Sequence, residues 1–119
     1  MADLALQNLK FDFQITLGTP DKLVILDKIS FEILKSIEKK GSLNYALTLV
    51  GLSYRNGWGK IRKMEKELGF PLILSERGGP EGGRSTLSPE AKKLVRAFDK
   101  IHEEIDLSLE RYLNSLDSK

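Results

Sequence analysis

Two amphipathic stretches, each opened by a serine, flank a single glycine in residues 42–68: Ser42 to Val50, then Gly51-Leu52, then Ser53 to Leu68. Serine ahead of an apolar-periodic run is a helix-start signal, because its hydroxyl accepts from a first-turn amide that has no partner within the helix. Gly51 supplies the one residue type for which a positive backbone angle costs little. The spacing predicts a short helix with Leu43, Ala46, Leu47 and Val50 inward, a turn anchored by Leu52, and a second helix with Ile61, Met64 and Leu68 inward. This layout is a helix-turn-helix, and its second helix has the size and polarity to enter a DNA major groove.

Two residues depart together from the usual pattern of such helix pairs. Leu47 stands four before the turn glycine, where a small residue normally lets the helices approach, and Gly57 stands at the facing position, where Val, Ile or Ala is usual. They read as a volume exchange, in which Gly57 makes room for Leu47 at a helix-propensity cost of about 1 kcal/mol.

The flanking segments complete one domain. Residues 9–17 alternate apolar and polar, as a half-buried strand does, and Gly18-Thr19-Pro20-Asp21 followed by Leu23-Val24-Ile25-Leu26 predicts a hairpin return. Asp27 caps a helix with Ile29, Ile33, Leu34 and Ile37 on one face, ending at Lys39-Lys40-Gly41. Leu72–Arg77 and Ser85-Thr86-Leu87 are short strands around the tip Gly78-Gly79-Pro80-Glu81-Gly82-Gly83-Arg84, which makes a wing. The glycine-rich tip lacks the Gly-Lys-Ser/Thr ending of a phosphate-cradling P-loop and is not followed at once by a helix. Ser88 and Pro89 open a long helix whose apolar stripe is Ala91, Leu94, Val95, Phe98, Ile101, Ile105, Leu109, Tyr112 and Leu116. Some 28 residues give roughly 40 Å, longer than a domain of this size is wide, so the distal half calls for a partner. A crossing or antiparallel pair of such helices makes a two-fold homodimer with two groove-reading helices.

With 119 residues the chain has room for one ordinary core. The expected fold is therefore mainly α with small β (α+β): an N-terminal strand or hairpin (1–26), a winged helix-turn-helix (27–87) and a long C-terminal dimerisation helix (88–119). No apolar run approaches the roughly 20 residues of a membrane span. Met1 to Leu9 carries Asp3 and lacks the basic start of a signal peptide. Without cysteine, disulfides and thiolate metal sites are excluded, which suits a reducing cytoplasm. Catalysis finds no support. His102, the only histidine, lies beside Glu103 and Glu104 with no ligand cluster, and no nucleophile-base set can be nominated, so neither a cofactor nor a metal is expected.

Charge is distributed unevenly. Residues 1–34 hold three Lys against five Asp/Glu and residues 99–119 three Lys/Arg against six, while residues 53–84 hold seven Lys/Arg against four Glu. A basic middle between acidic ends is the electrostatic footprint of a nucleic-acid face. On the second helix Ser53, Tyr54, Arg55 and Asn56 lie at the N-terminus, nearest the groove; Arg55 suits guanine and Asn56 adenine. Lys60, Arg62 and Lys63 are better suited to phosphates, as are Arg77 and Arg84 at the wing, with Ser42 at the start of the first helix. Trp58, four residues after Tyr54, is expected to be partly buried. Leu94, Phe98, Ile101, Ile105, Leu109 and Tyr112 are the expected dimer contacts.

The run Gly41-Ser42-Leu43 through Gly51-Leu52-Ser53-Tyr54-Arg55-x-x-Trp58, with Leu68 to Arg77 and the Gly78-Gly79-x-x-Gly82-Gly83 tip, resembles the N-terminal DNA-binding domain of ModE-type molybdate-responsive transcription regulators. Through Glu65-x-x-Leu68-Gly69-x-Pro71-Leu72 and Leu87-Ser88-Pro89 it is more distantly similar to the LysR-type winged domain. The resemblance covers about residues 9 to 110. It implies a sequence-specific, double-stranded DNA-binding transcription regulator acting as a homodimer. It does not imply molybdate binding, because the oxyanion-binding domains of that family have no counterpart here. Pro80 and Glu81 stand where the family has Lys and Gly, which implies a weaker phosphate contact at the tip. The alternative is a winged-helix module for protein contact within the transcription machinery, with weak or nonspecific DNA binding.

Overall fold

The structure, a computed structural model, describes residues 6, 8–75 and 84–116. Helix α1 (Lys28–Lys40) starts where Asp27 turns its carboxylate back, Oδ1 accepting from the Ser30 amide at 2.9 Å and the Ser30 hydroxyl at 2.7 Å. It stops at Gly41, whose φ of 70° lies in the left-handed region and whose amide donates to the Ile37 carbonyl. Ser30, Phe31, Ile33, Leu34 and Ile37 are buried, but Ile29, expected on the same face, is 45% exposed. Ile29 and Phe31 lie on opposite flanks of the Ser30–Ile37 stripe, each about 100° from it. The long helix covers the Phe31 flank, where Phe98 stacks on the Phe31 ring at 4.1 Å between centroids. Periodicity alone does not distinguish those flanks.

Helix α2 (Leu43–Leu49) is capped by Ser42 and buries Leu43, Ala46 and Leu47. Gly51, with φ of 75°, makes the turn; the Leu52 amide then donates to the Leu47 carbonyl at 2.9 Å, and Ser53 caps α3 (Tyr54–Leu68). Helix α3 buries Gly57, Ile61 and Met64 and ends at Gly69. Strand β1 (Ile73–Ser75) pairs antiparallel with β2 (Ser85–Leu87), Ile73 opposite Leu87 and Leu74 opposite Thr86. Three ties hold this ribbon to the helices. Glu65 Oε2 accepts from the Leu72 amide at 2.7 Å and the Ile73 amide at 3.2 Å, Ser85 N–H donates to the Gly41 carbonyl, and Ser88 N–H donates to Leu72. The tip between the strands, with Arg77, Pro80 and Glu81, lies outside the described residues.

The expected hairpin of residues 9–17 with 23–26 shrinks to one antiparallel bridge, Leu17 with Leu26. Thr19 and Lys22 close a tight turn through backbone bonds in both directions, and Leu26, fully buried, leads directly into the Asp27 cap. Chain entry into the core thus ends the pairing after one step, leaving Leu23 and Val24 exposed. The alternation in residues 13–17 nevertheless has a structural meaning. Phe13, Ile15 and Leu17 are half-buried while Gln14 and Thr16 are exposed, and the Phe13 ring lies 4.8 Å from that of His102.

Helix α4 (Pro89–Ser115) is capped by the fully buried Ser88, whose hydroxyl accepts from the Ala91 amide. Ala91 and Val95 are buried, and Leu94 and Phe98 pack against this chain's own core. Beyond them Ile101, Leu107, Tyr112 and Leu116 are exposed, and the molecule extends 63 Å along its long axis against 33 and 23 Å across. The whole is mainly helical with a small two-stranded sheet among the described residues. None of the described helices is long and apolar enough to cross a membrane.

Candidate functional site

Helix α3 has two dissimilar faces. Gly57, Ile61, Met64 and Leu68, spaced four, three and four residues apart, turn inward, whereas Arg55, Asn56, Gly59, Arg62, Lys63 and Lys66 are exposed on the opposite side. The contact with α2 fixes this orientation. A β-carbon built on Gly57 would collide with both Leu47 methyl groups and lie 2.8 Å from Leu47 Cγ, so the expected volume exchange is present in the packing. Leu47 is fully buried and fills the space that a Gly57 side chain would need.

At the N-terminal end Ser53 Oγ accepts from the Asn56 amide at 3.1 Å, while Tyr54, Arg55 and Asn56 are exposed. Lys63 and Lys66 are exposed further along, and Lys66, which the sequence reading omitted, lies eleven residues after Arg55 on the same side. Trp58 and Lys60 flank the face. Trp58 is half-buried with the Arg62 guanidinium 5.0 Å from its ring centre, which directs Arg62 along the helix surface. Lys60 Nζ turns away to Asp27 Oδ2 at 3.6 Å. Burial by itself would raise the Asp27 carboxyl, but the Ser30 amide and hydroxyl bonds and the Lys60 charge outweigh it and hold its pKa below the ordinary 3.8.

Of the remaining expected residues, Ser42 and Arg84 belong to a second locality, and Arg77 lies outside the described residues. Ser42 Oγ is engaged by the Tyr45 amide at 3.0 Å as the α2 cap. Arg84 is exposed at the entry to β2 with its guanidinium over Gly41, where a β-carbon would meet Nη2 at 3.3 Å. Gly41, Ser42 and Arg84 are thus brought together by the Ser85–Gly41 backbone bond. Lys40, expected only as part of the helix end, lies 5.8 Å from the Tyr45 ring centre nearby. His102, on α4, lies between the Phe13 and Phe98 rings with Asp106 Oδ2 4.0 Å from Nδ1.

No family model matches the chain. Over 84 residues, 71% of the chain, it is 32% identical to the molybdenum-pterin-binding protein MopB of Rhodobacter capsulatus, covering 31% of that protein. It is 30% identical over 86 residues to the molybdenum transport protein ModE of Azotobacter vinelandii, covering 32% of it. The matched segment is related to the ModE and MopB proteins. A further relative, 28% identical over 85 residues, is the DNA-binding transcriptional dual regulator ModE of Escherichia coli K12. The chain spans about a third of the length of the curated relatives it matches.

Proposed function

We propose that this chain is a sequence-specific, double-stranded DNA-binding transcription regulator of winged helix-turn-helix type that works as a homodimer. The observation that carries the reading is the outward face of α3, where Arg55, Asn56, Arg62, Lys63 and Lys66 are all exposed around a helix held firmly by its other side. A positively charged helix face of this length matches the major groove in size and opposes phosphate charge along its rims. That a relative over 85 residues is a DNA-binding transcriptional regulator supports the same reading.

The roles divide by position. Arg55 and Asn56, at the capped end, read base edges; Lys63 and Lys66 meet phosphates. Lys60, engaged with Asp27, contributes less to DNA than the sequence pattern implied. Ser42 and Arg84 form a separate contact to the DNA backbone beside Gly41. Helix α4 joins two copies through Ile101, Ile105, Leu109 and Tyr112, whereas Leu94 and Phe98 serve the core of each copy.

Duplexes selected from a random pool by the purified chain supply the test. Arg55→Ala is expected to relax the preference at one base pair, whereas Lys63→Ala weakens all duplexes alike and lowers the slope of log affinity against log salt by about one. Selection that yields no preferred sequence, with both variants binding as the parent does, overturns the reading in favour of a protein-contact module.

A further inference from the structure

Helix α3 contains two interior glycines, and the fold explains only one of them. Gly57 is buried against Leu47, and no larger residue fits there. Gly59 is exposed, a β-carbon built on it meets nothing within 4 Å, and it is not among the described glycines with positive φ, which are Gly41, Gly51 and Gly69. Alanine would fit at this position and would favour the helix, because glycine loses the most backbone freedom on folding. Among the described residues, neither packing nor backbone geometry requires this glycine.

What surrounds Gly59 gives its absent side chain a use. Residues three and four apart on a helix are surface neighbours, so Arg55, Asn56, Arg62 and Lys63 encircle Gly59 at minus four, minus three, plus three and plus four. It is the centre of the exposed face. We infer that Gly59 is the point at which α3 approaches DNA most closely, and that its bare backbone is a requirement of the complex rather than of the fold; this rests on the reading of α3 as the groove-facing helix. A side chain at the centre would hold the helix axis away from the groove floor. Asn56, with its short reach, would lose its base contact before Arg55 did.

The test uses the full chain, its Gly59→Ala and Gly59→Leu variants, and Arg55→Ala in parallel, each titrated against the duplex selected by the parent and each melted thermally. Gly59→Ala is expected to raise Tm while weakening binding about tenfold, and Gly59→Leu to weaken it about a hundredfold, with base preference lost first at the adenine-type contact of Asn56. If both Gly59 variants bind as tightly as the parent while Arg55→Ala loses its preference, the close approach is refuted and α3 remains the reader. If Gly59→Ala lowers Tm, the glycine serves the fold and the inference fails. If Arg55→Ala binds as the parent does, the reading of α3 itself falls, and the role of Gly59 falls with it.

Discussion

Two contacts that tie α3 to its neighbours lend themselves to single substitutions. Gly57→Ala adds one methyl group directly into the Leu47 side chain, which is enclosed and has no free end to move. Overpacking of this kind costs about 1–3 kcal/mol, against a helix-propensity gain of about 1 kcal/mol, so a net loss is expected in urea unfolding. Leu47→Ala alone leaves a cavity and costs about 2–5 kcal/mol, but in the Gly57→Ala background it costs less, because the new methyl occupies part of the hole. Additive losses would contradict the exchange. Asp27 provides a test by pH. Its folded pKa lies below the ordinary 3.8, so its stabilising contribution is complete above that value and disappears as pH falls through the folded pKa. Asp27→Asn keeps a helix-capping oxygen and removes the titration. The stability gap between parent and variant should therefore be widest near neutral pH and narrow progressively below about pH 4, whereas a gap independent of pH would refute the assignment.

Elements were legible in the sequence where local chemistry specifies both ends. Ser42, Ser53, Asp27 and Ser88 cap the helices they were expected to cap, since an N-cap bond reaches only three residues ahead. The outward side of α3 was legible for the same reason, except that no local rule sends Lys60 to Asp27, which is distant in sequence. Strand partners are a different matter. Alternation in residues 13–17 reports half-burial, and it cannot say whether the cover is another strand or, as here, the side of α4 carrying His102. The β1–β2 ribbon depends similarly on a residue outside it. Glu65 accepts two amides across the α3–β1 connection, and the Leu72 that it anchors is fully buried. Glu65→Ala is expected to cost about 2 kcal/mol by leaving those amides without their charged acceptor, and Glu65→Gln, which keeps an acceptor oxygen, about half as much. Urea midpoints of the two variants check this; equal losses would mean that the carboxylate acts through something other than these two bonds.

At the scale of the molecule, the outstanding feature is how far α4 runs beyond the core that its first half packs on. Its apolar contacts with the core involve Ala91, Leu94, Val95 and Phe98, and His102 lies against Phe13, whereas Ile101 and Tyr112 are 44% and 62% exposed along a stripe that continues through Ile105, Leu109 and Leu116. The steps from Phe98 through Ile101, Ile105, Leu109, Tyr112 and Leu116 are three, four, four, three and four residues, the periodicity of a helix that buries one seam against another helix. The homodimer proposed from this seam would bring two copies of α3 to two half-sites, so DNA affinity and self-association should be linked. Replacing both Ile105 and Leu109 with Glu puts charge on the seam beyond the packed core and should leave each copy folded. The parent is expected to sediment as a dimer and the double variant as a monomer with an unchanged helical circular dichroism spectrum. Affinity for a two-half-site duplex should then fall by about 10²- to 10⁴-fold, because the second half-site is no longer engaged at a high effective concentration, while binding to an isolated half-site stays nearly constant. A parent that sediments as a monomer, or a double variant that still dimerises, would remove α4 from the interface and leave its exposed stripe to another partner.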